Sequence, residues 1–395
     1  MLQETIIPND LIRLRGMEAA FPAAEFESRQ QRARAAIAAA GHEALIVTSP
    51  ETIYWLTGRQ TAGYFAFQAL ILPAKGELAL LVRQLELPGA ISNTWLADVA
   101  IYQDGEDPAA ALAALVRRLG LANPAMERDG WFVSPLMAER IEAAIGAGPL
   151  SDGSALLPPL RMVKSPAELE AIRKAAVYTE IGLSAAIAAC REGVDENAVA
   201  AAMMAAAVAA GSEAFGMEPL VSSGPRSGLP HMTWRRRAME TGDAIFLEMA
   251  ASHARYHSAM MRTAFIGRPS DEAARMMDCA LVALEAALGA IRPGVPASAP
   301  HDAAQRVIDA AGYTAAFRKR IGYSMGVAFA PDWGEGAILS LFTGVDTLLE
   351  PGMVFHLPAT LRAYGRFTVG ASETVIVTES GCDVLSTLPR AIALR

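Results

Sequence analysis

The chain has 395 residues, of which 52% are hydrophobic and 19% are charged, a composition typical of a globular protein with a large core in two or three domains. Its formal net charge of −8 argues against a nucleic-acid-binding surface. The three cysteines have no CxxC spacing, which argues against a disulfide framework and against a cysteine-based zinc site. Because the sequence shows neither a signal-peptide pattern nor a bilayer-spanning stretch, we expect a cytoplasmic protein with no membrane partner.

Helix and strand patterns alternate over the first 160 residues. A helix is predicted from Glu25 to the C-cap glycine Gly41, and the buried strand EALIVTSP follows it. This order indicates an α/β domain over residues 1–160. No glycine-rich phosphate loop follows any of its strands, so no nucleotide site is predicted. The next predicted elements are a short helix ending at Gly58 and strands at Ala66–Leu72 and Leu78–Val82.

The second predicted domain, residues 161–395, opens on a clear helix start. Ser165 at the N-cap, Pro166 at the first helical position and Glu168 at the third form a capping box. Long helical patterns and then mainly strands and turns follow. This order predicts helices packed over an antiparallel sheet, an α+β arrangement.

Glu248 is the one carboxylate in the apolar strand pattern Ala244–Met249. A carboxylate inside such a strand must be paired, must bind a cation or must have a shifted pKa. Glu248 is therefore the first candidate for chemistry. The alternative is a strand-end glutamate in an ordinary salt bridge.

His231 lies in the loop sequence GLPHMTWRRR. A loop histidine titrates near neutral pH, which makes it a candidate general base, and the alternative is an ordinary surface histidine. The three arginines that follow are typical of a solvated turn, although one of them is also suited to hold a substrate carboxylate.

A second strand is predicted from Arg255 to Thr263. Because side chains alternate along a strand, Tyr256 and Arg262 share one face and His257 lies on the other. A regular strand therefore cannot direct both His257 and Arg262 into one site. A bulge would relax this restriction.

The C-terminal third offers further polar candidates. The turn APDWGE brings Asp332, Trp333 and Glu335 together, and acids beside a tryptophan suit a cationic or amidine-like group. The alternative is a polar loop with a packing tryptophan. His356, in GMVFHLPAT, favours a hydrogen-bonded core histidine, and Glu373 is an acid at the start of a strand.

Six stretches occur in the order known from the pita-bread family, which includes methionine aminopeptidase, Xaa-Pro aminopeptidase, prolidase and creatinase. In addition, RQQRARAAIAAAGHEALIVTSPETIYWLTG resembles the start of a creatinase-type N-terminal domain, and RMVKSPAELEAIRKAA resembles the entry into the catalytic domain. The resemblance implies a creatinase-type α/β domain over 1–160, an α+β pita-bread domain over 161–395, and a homodimer. The six stretches are LVSSGPRSGLPHM, GDAIFLEM, YHSAMMRTAFIG, GYSMGV, LEPGMVFHL and SETVIVTE.

Metallopeptidases of that family bind two metal ions through two Asp, one His and two Glu. Matched residue by residue, these positions hold Glu248, Ala259, Tyr323, Pro358 and Ser372. Ala, Pro and Ser offer no carboxylate, and divalent ions of this type need several oxygen or nitrogen ligands. We therefore predict no catalytic metal and no other cofactor.

Creatinase is a member without metal, and its catalytic histidine matches His231. Glu248 with RYHSAMMRT, GYSMG and APDWGE resembles the branch of creatinase and ectoine hydrolase. The resemblance implies a metal-independent hydrolase of a C–N bond in a small cyclic amidine or amidino compound, with ectoine as the preferred candidate substrate and with Glu248 and His231 catalytic. The alternatives are a metal-dependent Xaa-Pro peptidase with an atypical site and a non-catalytic binding protein. The predicted substrate-binding residues are Trp234, Tyr256, Arg262, Tyr323, Asp332, Trp333, Glu335, His356 and Glu373.

Overall fold

The computed structural model describes residues 9–395. They form two compact units, and the division falls between Arg161 and Met162. The first unit is an α/β domain and the second an α+β domain, which confirms the predicted fold class. Among the helices of the described residues, none combines the length and the apolar character needed to cross a lipid bilayer.

The first unit is built on a five-stranded mixed sheet in the order β4-β3-β2-β1-β5. Alternate residues of its strands enter two different apolar cores, so that Leu45 and Val47 pack on one face while Ala44 and Ile46 pack on the other. The strands are Ala44–Val47 (β1), Ala69–Pro73 (β2), Ala79–Arg83 (β3), Asp98–Tyr102 (β4) and Ala125–Met126 (β5). The helices are Asn9–Ile12 (α1), Ala23–Ala39 (α2), Pro50–Thr57 (α3), Leu87–Asn93 (α4), Pro108–Arg118 (α5), Pro135–Ile145 (α6) and, at the boundary, Pro158–Met162 (α7).

The second unit contains two mainly antiparallel sheets, each covered by helices. Its helices are Pro166–Ala189 (α8), Glu196–Ala210 (α9), Asp271–Ala290 (α10) and Ser298–Ala310 (α11). Its strands are Leu220–Ser223 (β6), Ala244–His253 (β7), Tyr256–Phe265 (β8), Gly322–Ser324 (β9), Ser340–Leu341 (β10), Val354–Ala363 (β11), Phe367–Val377 (β12), Cys382–Val384 (β13) and Ala393–Leu394 (β14).

The cores define the orientation of the two sheets. One sheet has the order β14-β8-β7-β6 and packs against α8 and α9, and the other has the order β10-β9-β11-β12-β13 and packs against α10 and α11. The other side of β7, β8, β11 and β12 carries the residues that alternate with those of the two cores. We call this side the inner face. Glu248 lies on it, because its neighbours Leu247 and Met249 belong to the helix-covered core.

Hydroxyl side chains join the two sheets between β8 and β12. Thr374 Oγ1 accepts the Ala259 N–H (3.1 Å) and donates to the Ala259 carbonyl (2.7 Å). Ser372 Oγ accepts the Met261 N–H at 2.7 Å. Side-chain hydrogen bonds therefore join β8 to β12 on the inner face, because these two strands belong to different sheets and their backbones do not pair.

The predicted capping box at the start of α8 is present. Ser165 Oγ accepts the Glu168 N–H, and the Glu168 carboxylate accepts the Ser165 N–H at 2.6 Å. The other carboxylate oxygen of Glu168 accepts the Tyr256 hydroxyl at 2.5 Å. This cap thus ties the start of α8 to the first residue of β8.

Candidate functional site

Glu248 is the one carboxylate of β7, whose segment Ala244–Met249 is otherwise apolar and which is buried over nearly its whole length. It is paired in register with Leu220 of β6 on one side and with Met261 of β8 on the other. Its side chain retains 10% of its accessible surface. The carboxylate is thus fixed by two strands but still reached by solvent.

The electrostatic surroundings of Glu248 favour a carboxyl that holds its proton unusually tightly. Burial raises its pKa to about 7, although the charges of Lys319 and Arg362 act in the opposite direction. His356 Nε2 lies 3.9 Å from Glu248 Oε1. Burial lowers the pKa of His356 to about 3, so at neutral pH this histidine is uncharged and forms no ion pair with Glu248.

His356 is the centre of a chain of hydrogen bonds on the inner face. Its Nε2 is 2.6 Å from Ser372 Oγ, and its Nδ1 is 2.9 Å from the Tyr323 hydroxyl. The Tyr323 oxygen accepts the Trp333 indole N–H at 2.8 Å. The structure therefore brings Tyr323, Trp333 and His356 of the predicted set together with Glu248. It adds Ser372, which occupies a position matched to a metal ligand.

Lys319 and Arg362 are members of this group that the sequence reasoning missed. Lys319 precedes β9, and its ammonium donates to the Pro358 carbonyl (2.6 Å) and to Thr360 Oγ1 (2.7 Å). Arg362 lies in β11, the strand that also contains Pro358 and Thr360, and its Nε donates to Thr368 Oγ1 at 2.9 Å. The available signal was the alternation in β11 of His356, Pro358, Thr360 and Arg362 with apolar core residues, which places these four side chains on the inner face.

Arg262 and Glu373 form a fully buried ion pair, with 2.8 Å between Nη2 and Oε1. They lie on the helix-covered faces of β8 and β12, because Met260 and Ala264 beside Arg262, and Ala371 and Val375 beside Glu373, belong to the two cores. The structure therefore does not bring either residue to Glu248. Each therefore compensates the charge of the other, and their contact with substrate stays a prediction.

Three other predicted substrate-binding residues already have partners in the protein. The Tyr256 hydroxyl donates to Glu168, and Glu335 forms a buried ion pair with Lys164 at 3.0 Å. Asp332 is exposed and its Oδ1 accepts the Trp333 and Gly334 N–H groups at 2.7 and 3.1 Å, so it shapes its own turn. A substrate contact through these three residues stays a prediction.

His231 lies exposed on a loop, and its φ of 54° is in the left-handed region. Trp234, three residues on, is half-buried against the core of β6 and β7 with α8 and α9. No hydrogen bond joins His231 to another residue within the described part of the chain. Its predicted catalytic role stays a prediction.

The loop that carries His231 is held at both ends by one buried carboxylate, Glu196 at the first turn of α9. Its Oε1 accepts the Ser223 N–H and hydroxyl, each at 2.8 Å, and its Oε2 accepts the Arg235 N–H at 2.7 Å and a guanidinium N–H of Arg226. Glu196 thereby fixes where the loop leaves β6 and where it returns.

Replacing Glu196 with glutamine is expected to lower the free energy of unfolding by about 2–3 kcal/mol, because a charged acceptor of several hydrogen bonds is lost while the Arg226 guanidinium keeps its charge. Urea unfolding measures this loss, and amide hydrogen exchange at Ser223 and Arg235 is expected to accelerate. Glu213→Gln, at an exposed glutamate, is the matched control and should leave both quantities unchanged. Equal behaviour of the two variants would show that Glu196 does not anchor the loop.

The donor groups at this site do not fit a pair of divalent ions. Of the five positions matched to metal ligands, one holds a carboxylate, and the others hold Ala259, Tyr323, Pro358 and Ser372. Within residues 9–395, no cluster of three or more His, Cys, Asp and Glu side chains is arranged to hold a metal ion. His356 approaches Glu248, but its ring nitrogens already meet Ser372 and Tyr323. No catalytic step is therefore derived through a metal.

Two helix-covered sheets joined between β8 and β12 form the fold of the pita-bread class. The chain belongs to the metallopeptidase family M24, whose model matches residues 170–379. Residues 29–163 match the creatinase/prolidase N-terminal domain. The family predicted from the six stretches is confirmed.

Similarity to individual proteins extends over nearly the whole chain. An ectoine hydrolase of Halomonas elongata is 26% identical over 395 residues, covering 95% of this chain and 98% of the relative. An uncharacterised hydrolase/peptidase of Sinorhizobium fredii is 31% identical, covering 95% and 97%. The crystal structure of the dipeptidase PepE from Mycobacterium ulcerans matches with a TM-score of 0.81 at 28% identity, covering 95% and 99%. These similarities support a hydrolase of this family and include relatives with different substrates.

Proposed function

We propose that the protein is a metal-independent hydrolase of a C–N bond in a small cyclic amidine or amidino compound, with ectoine as the first substrate to test. The observation that carries this proposal is Glu248, an accessible carboxylate with a raised pKa at a site whose other matched ligand positions hold no carboxylate. The similarity to an ectoine hydrolase supports the choice of substrate. The protein would act in the cytoplasm as a homodimer.

The chemistry needs one group to deliver oxygen to the amidine carbon and one to protonate the departing nitrogen. Glu248 either removes a proton from water or attacks the carbon itself. Addition gives a tetrahedral centre. When water is the nucleophile, collapse breaks one ring C–N bond, leaves an amide and gives the departing amine a proton. When Glu248 is the nucleophile, collapse expels the protonated amine and leaves an imidate bound to Glu248 through oxygen, which one water molecule then hydrolyses to the same amide and the free carboxylate. For ectoine the product of either route is an N-acetyl-diaminobutyrate. His231 is proposed to carry this proton, and the Tyr323 and Trp333 rings to form part of the pocket wall.

A carboxyl with a pKa near neutrality suits this role for a physical reason. A base with a pKa near the working pH is ionised in a useful fraction of molecules and still accepts a proton readily. An ordinary exposed glutamate is ionised but is a weak base. Burial of Glu248 supplies the difference, while Lys319 and Arg362 keep the ionised form attainable.

A second candidate is a dipeptidase that acts on Xaa-Pro bonds, which the similarity to the dipeptidase PepE favours. Parallel assays with ectoine and with Xaa-Pro dipeptides separate the two functions. A third possibility, a binding protein without activity, would show ligand-induced thermal stabilisation with no product from either substrate.

Metal removal is the experiment that divides these proposals. We expect elemental analysis of the purified protein to find less than stoichiometric Mn, Co, Zn or Fe, and dialysis against a chelator to leave turnover of the C–N substrate unchanged, because the donor set is too small. Stoichiometric metal together with activity lost on chelation and restored by one divalent ion would overturn the metal-independent function. A metal-dependent dipeptidase treated in parallel serves as the positive control.

A further inference from the structure

We propose that Lys319 and Arg362 form a carboxylate-binding subsite beside Glu248, and that the substrate is therefore an amidine or amidino compound that carries a carboxylate rather than one that lacks an acid group. This inference rests on the proposed function in placing the reacting C–N bond at Glu248. It assigns the recognition of the substrate's acid group to two residues that the sequence pattern did not single out.

Lys319 and Arg362 each keep hydrogen-bond donors that no protein group accepts within the described residues. Lys319 uses two of its three ammonium protons on Pro358 and Thr360. Arg362 uses its Nε on Thr368, and within the described residues neither of its terminal nitrogens has a protein acceptor. Both side chains are partly exposed. One ammonium proton and a guanidinium edge therefore remain for a ligand, and that edge matches the two oxygens of a carboxylate.

The charges around Glu248 on the inner face leave an excess of positive charge. Glu248 is the carboxylate that interacts with both Lys319 and Arg362, and Arg320 adds another positive charge near Lys319. Glu248 and Lys319 sum to zero whether both are charged or both are neutral. The charge of Arg362 is therefore left over, and the carboxylate of a ligand neutralises it.

Three other cations of this unit are already neutralised by carboxylates. Arg262 is bound to Glu373, and Lys164 is bound to Glu335. Arg237, which follows the His231 loop, is bound to Asp243. Lys319 and Arg362 differ from these three because neither makes a direct ion pair with a carboxylate in the part of the chain that the structure describes.

The position of the subsite also suits the chemistry. Lys319 is anchored on the carbonyl of Pro358, a position matched to a metal-ligating glutamate in the family. A positive charge is thus fixed beside Glu248 by a side chain. Binding a carboxylate there keeps Lys319 protonated, and it places the substrate between a cation that holds it and a carboxylate that reacts with it.

The test uses the full chain and two fragments of the same shape, acetate and acetamide. Thermal unfolding is followed over a concentration series of each fragment at constant ionic strength. We expect acetate, but not acetamide, to raise the melting temperature. Arg362→Gln and Lys319→Met should each remove most of the acetate response. Arg318→Gln, which removes a neighbouring exposed cation that faces Tyr364, is the matched control and should keep it.

Kinetics provide the second readout. With ectoine and its carboxamide as substrates, Arg362→Gln is expected to raise the KM for ectoine at least tenfold while leaving the KM for the carboxamide unchanged. Circular dichroism without ligand checks that each variant is folded. Arg362→Lys, which keeps the charge but not the planar fork, should retain part of the acetate response if Arg362→Gln does not fold.

The outcomes separate this inference from the proposed function. A selective acetate response that depends on Arg362 and Lys319 supports the subsite, whether or not ectoine is hydrolysed. Absence of ectoine hydrolysis alongside that response would reject only the proposed substrate. Equal responses to acetate and acetamide, or an acetate response that persists in Arg362→Gln and Lys319→Met, overturns the subsite even if the enzyme hydrolyses ectoine.

Discussion

Glu248→Gln is expected to lower kcat/KM by about 10³-fold or more, because the amide neither accepts a proton from water nor attacks carbon, and general base catalysis alone contributes about 10²–10⁴-fold. The side chain keeps its size and its place between β6 and β8, so the far-UV circular dichroism spectrum should not change. Turnover of ectoine under saturating and limiting substrate measures the loss. Glu350→Gln, at an exposed glutamate, is the control and should retain full activity.

The stability of the Glu248→Gln variant relative to the wild-type protein is expected to increase as the pH rises. Burial raises the pKa of Glu248 in the folded state from 4.5 to about 7. The folded protein thus holds this proton more tightly than the unfolded chain, and the resulting stabilisation is lost as the pH rises from about 4.5 to 7. The Glu248→Gln variant lacks this titration. The free energy of unfolding of the variant minus that of the wild type should therefore be larger at pH 8 than at pH 5, by on the order of 1–3 kcal/mol.

Two results would contradict the assignment of Glu248. More than a tenth of the wild-type rate in Glu248→Gln would show that another group activates the nucleophile. An equal stability difference between variant and wild type at pH 5 and pH 8 would show that the carboxyl titrates normally. The two measurements are independent, since one reads catalysis and the other reads burial.

Arg262→Ala is expected to lower the free energy of unfolding by about 3–5 kcal/mol, because it leaves the carboxylate of Glu373 buried with one of its charged partners removed. Arg262 donates to Glu373, to four carbonyls at 2.7–3.0 Å and to the Ser386 hydroxyl at 3.2 Å, so several acceptors also lose their donor. Urea unfolding with a constant m-value measures the change. Arg268→Ala, at an exposed arginine six residues on, should change stability by less than about 0.5 kcal/mol.

This variant also separates a structural role of Arg262 from a substrate-binding one. If the buried ion pair is its whole role, KM should stay near the wild-type value at a temperature where the variant is fully folded. A large increase in KM with little loss of stability would restore the role that the sequence suggested. Arg390 also contacts Glu373, at 2.9 Å, so the carboxylate keeps one cation and the fold is expected to survive.

Local sequence signals predicted the elements of the fold well because the physical causes of those elements are themselves local. Gly41 and Gly58 adopt positive φ angles of 77° and 82° just beyond their helices, as C-terminal glycines do. The capping box at Ser165 and Glu168 is fixed within four residues. The strand predicted at Ala66–Leu72 begins later, at Ala69, because residues 62–65 form a turn.

Strand alternation predicted side-chain direction correctly along β8. Its ladder with β7 runs unbroken through all ten residues, so no bulge intervenes. His257 accordingly accepts the Gly216 N–H at 3.0 Å while Arg262 turns to the opposite face and binds Glu373. The separation of these two residues followed from the period of the strand alone.

The composition of the site was only partly predictable, since it depends on contacts between residues far apart in sequence. Glu248 was identifiable because a carboxylate in an apolar strand is anomalous by itself. Lys319 was not, because in RKRIGY it resembles a solvated basic turn, and its burial depends on β11, about forty residues later. Arg262 and Glu373 were chosen for their charges, but only the folded chain shows that these charges compensate each other.

The hydroxyl junction between β8 and β12 limits how such a protein can evolve. Ser372 is fully buried, accepts the Met261 amide and meets His356, so it serves both the backbone and the hydrogen-bonded chain of the site. A glutamate introduced there as a metal ligand would remove that acceptor and add a charge to a closed space before any metal could compensate. Two divalent ions would also need suitable donor groups at Ala259 and Pro358, so no single substitution would create a dinuclear centre in this protein.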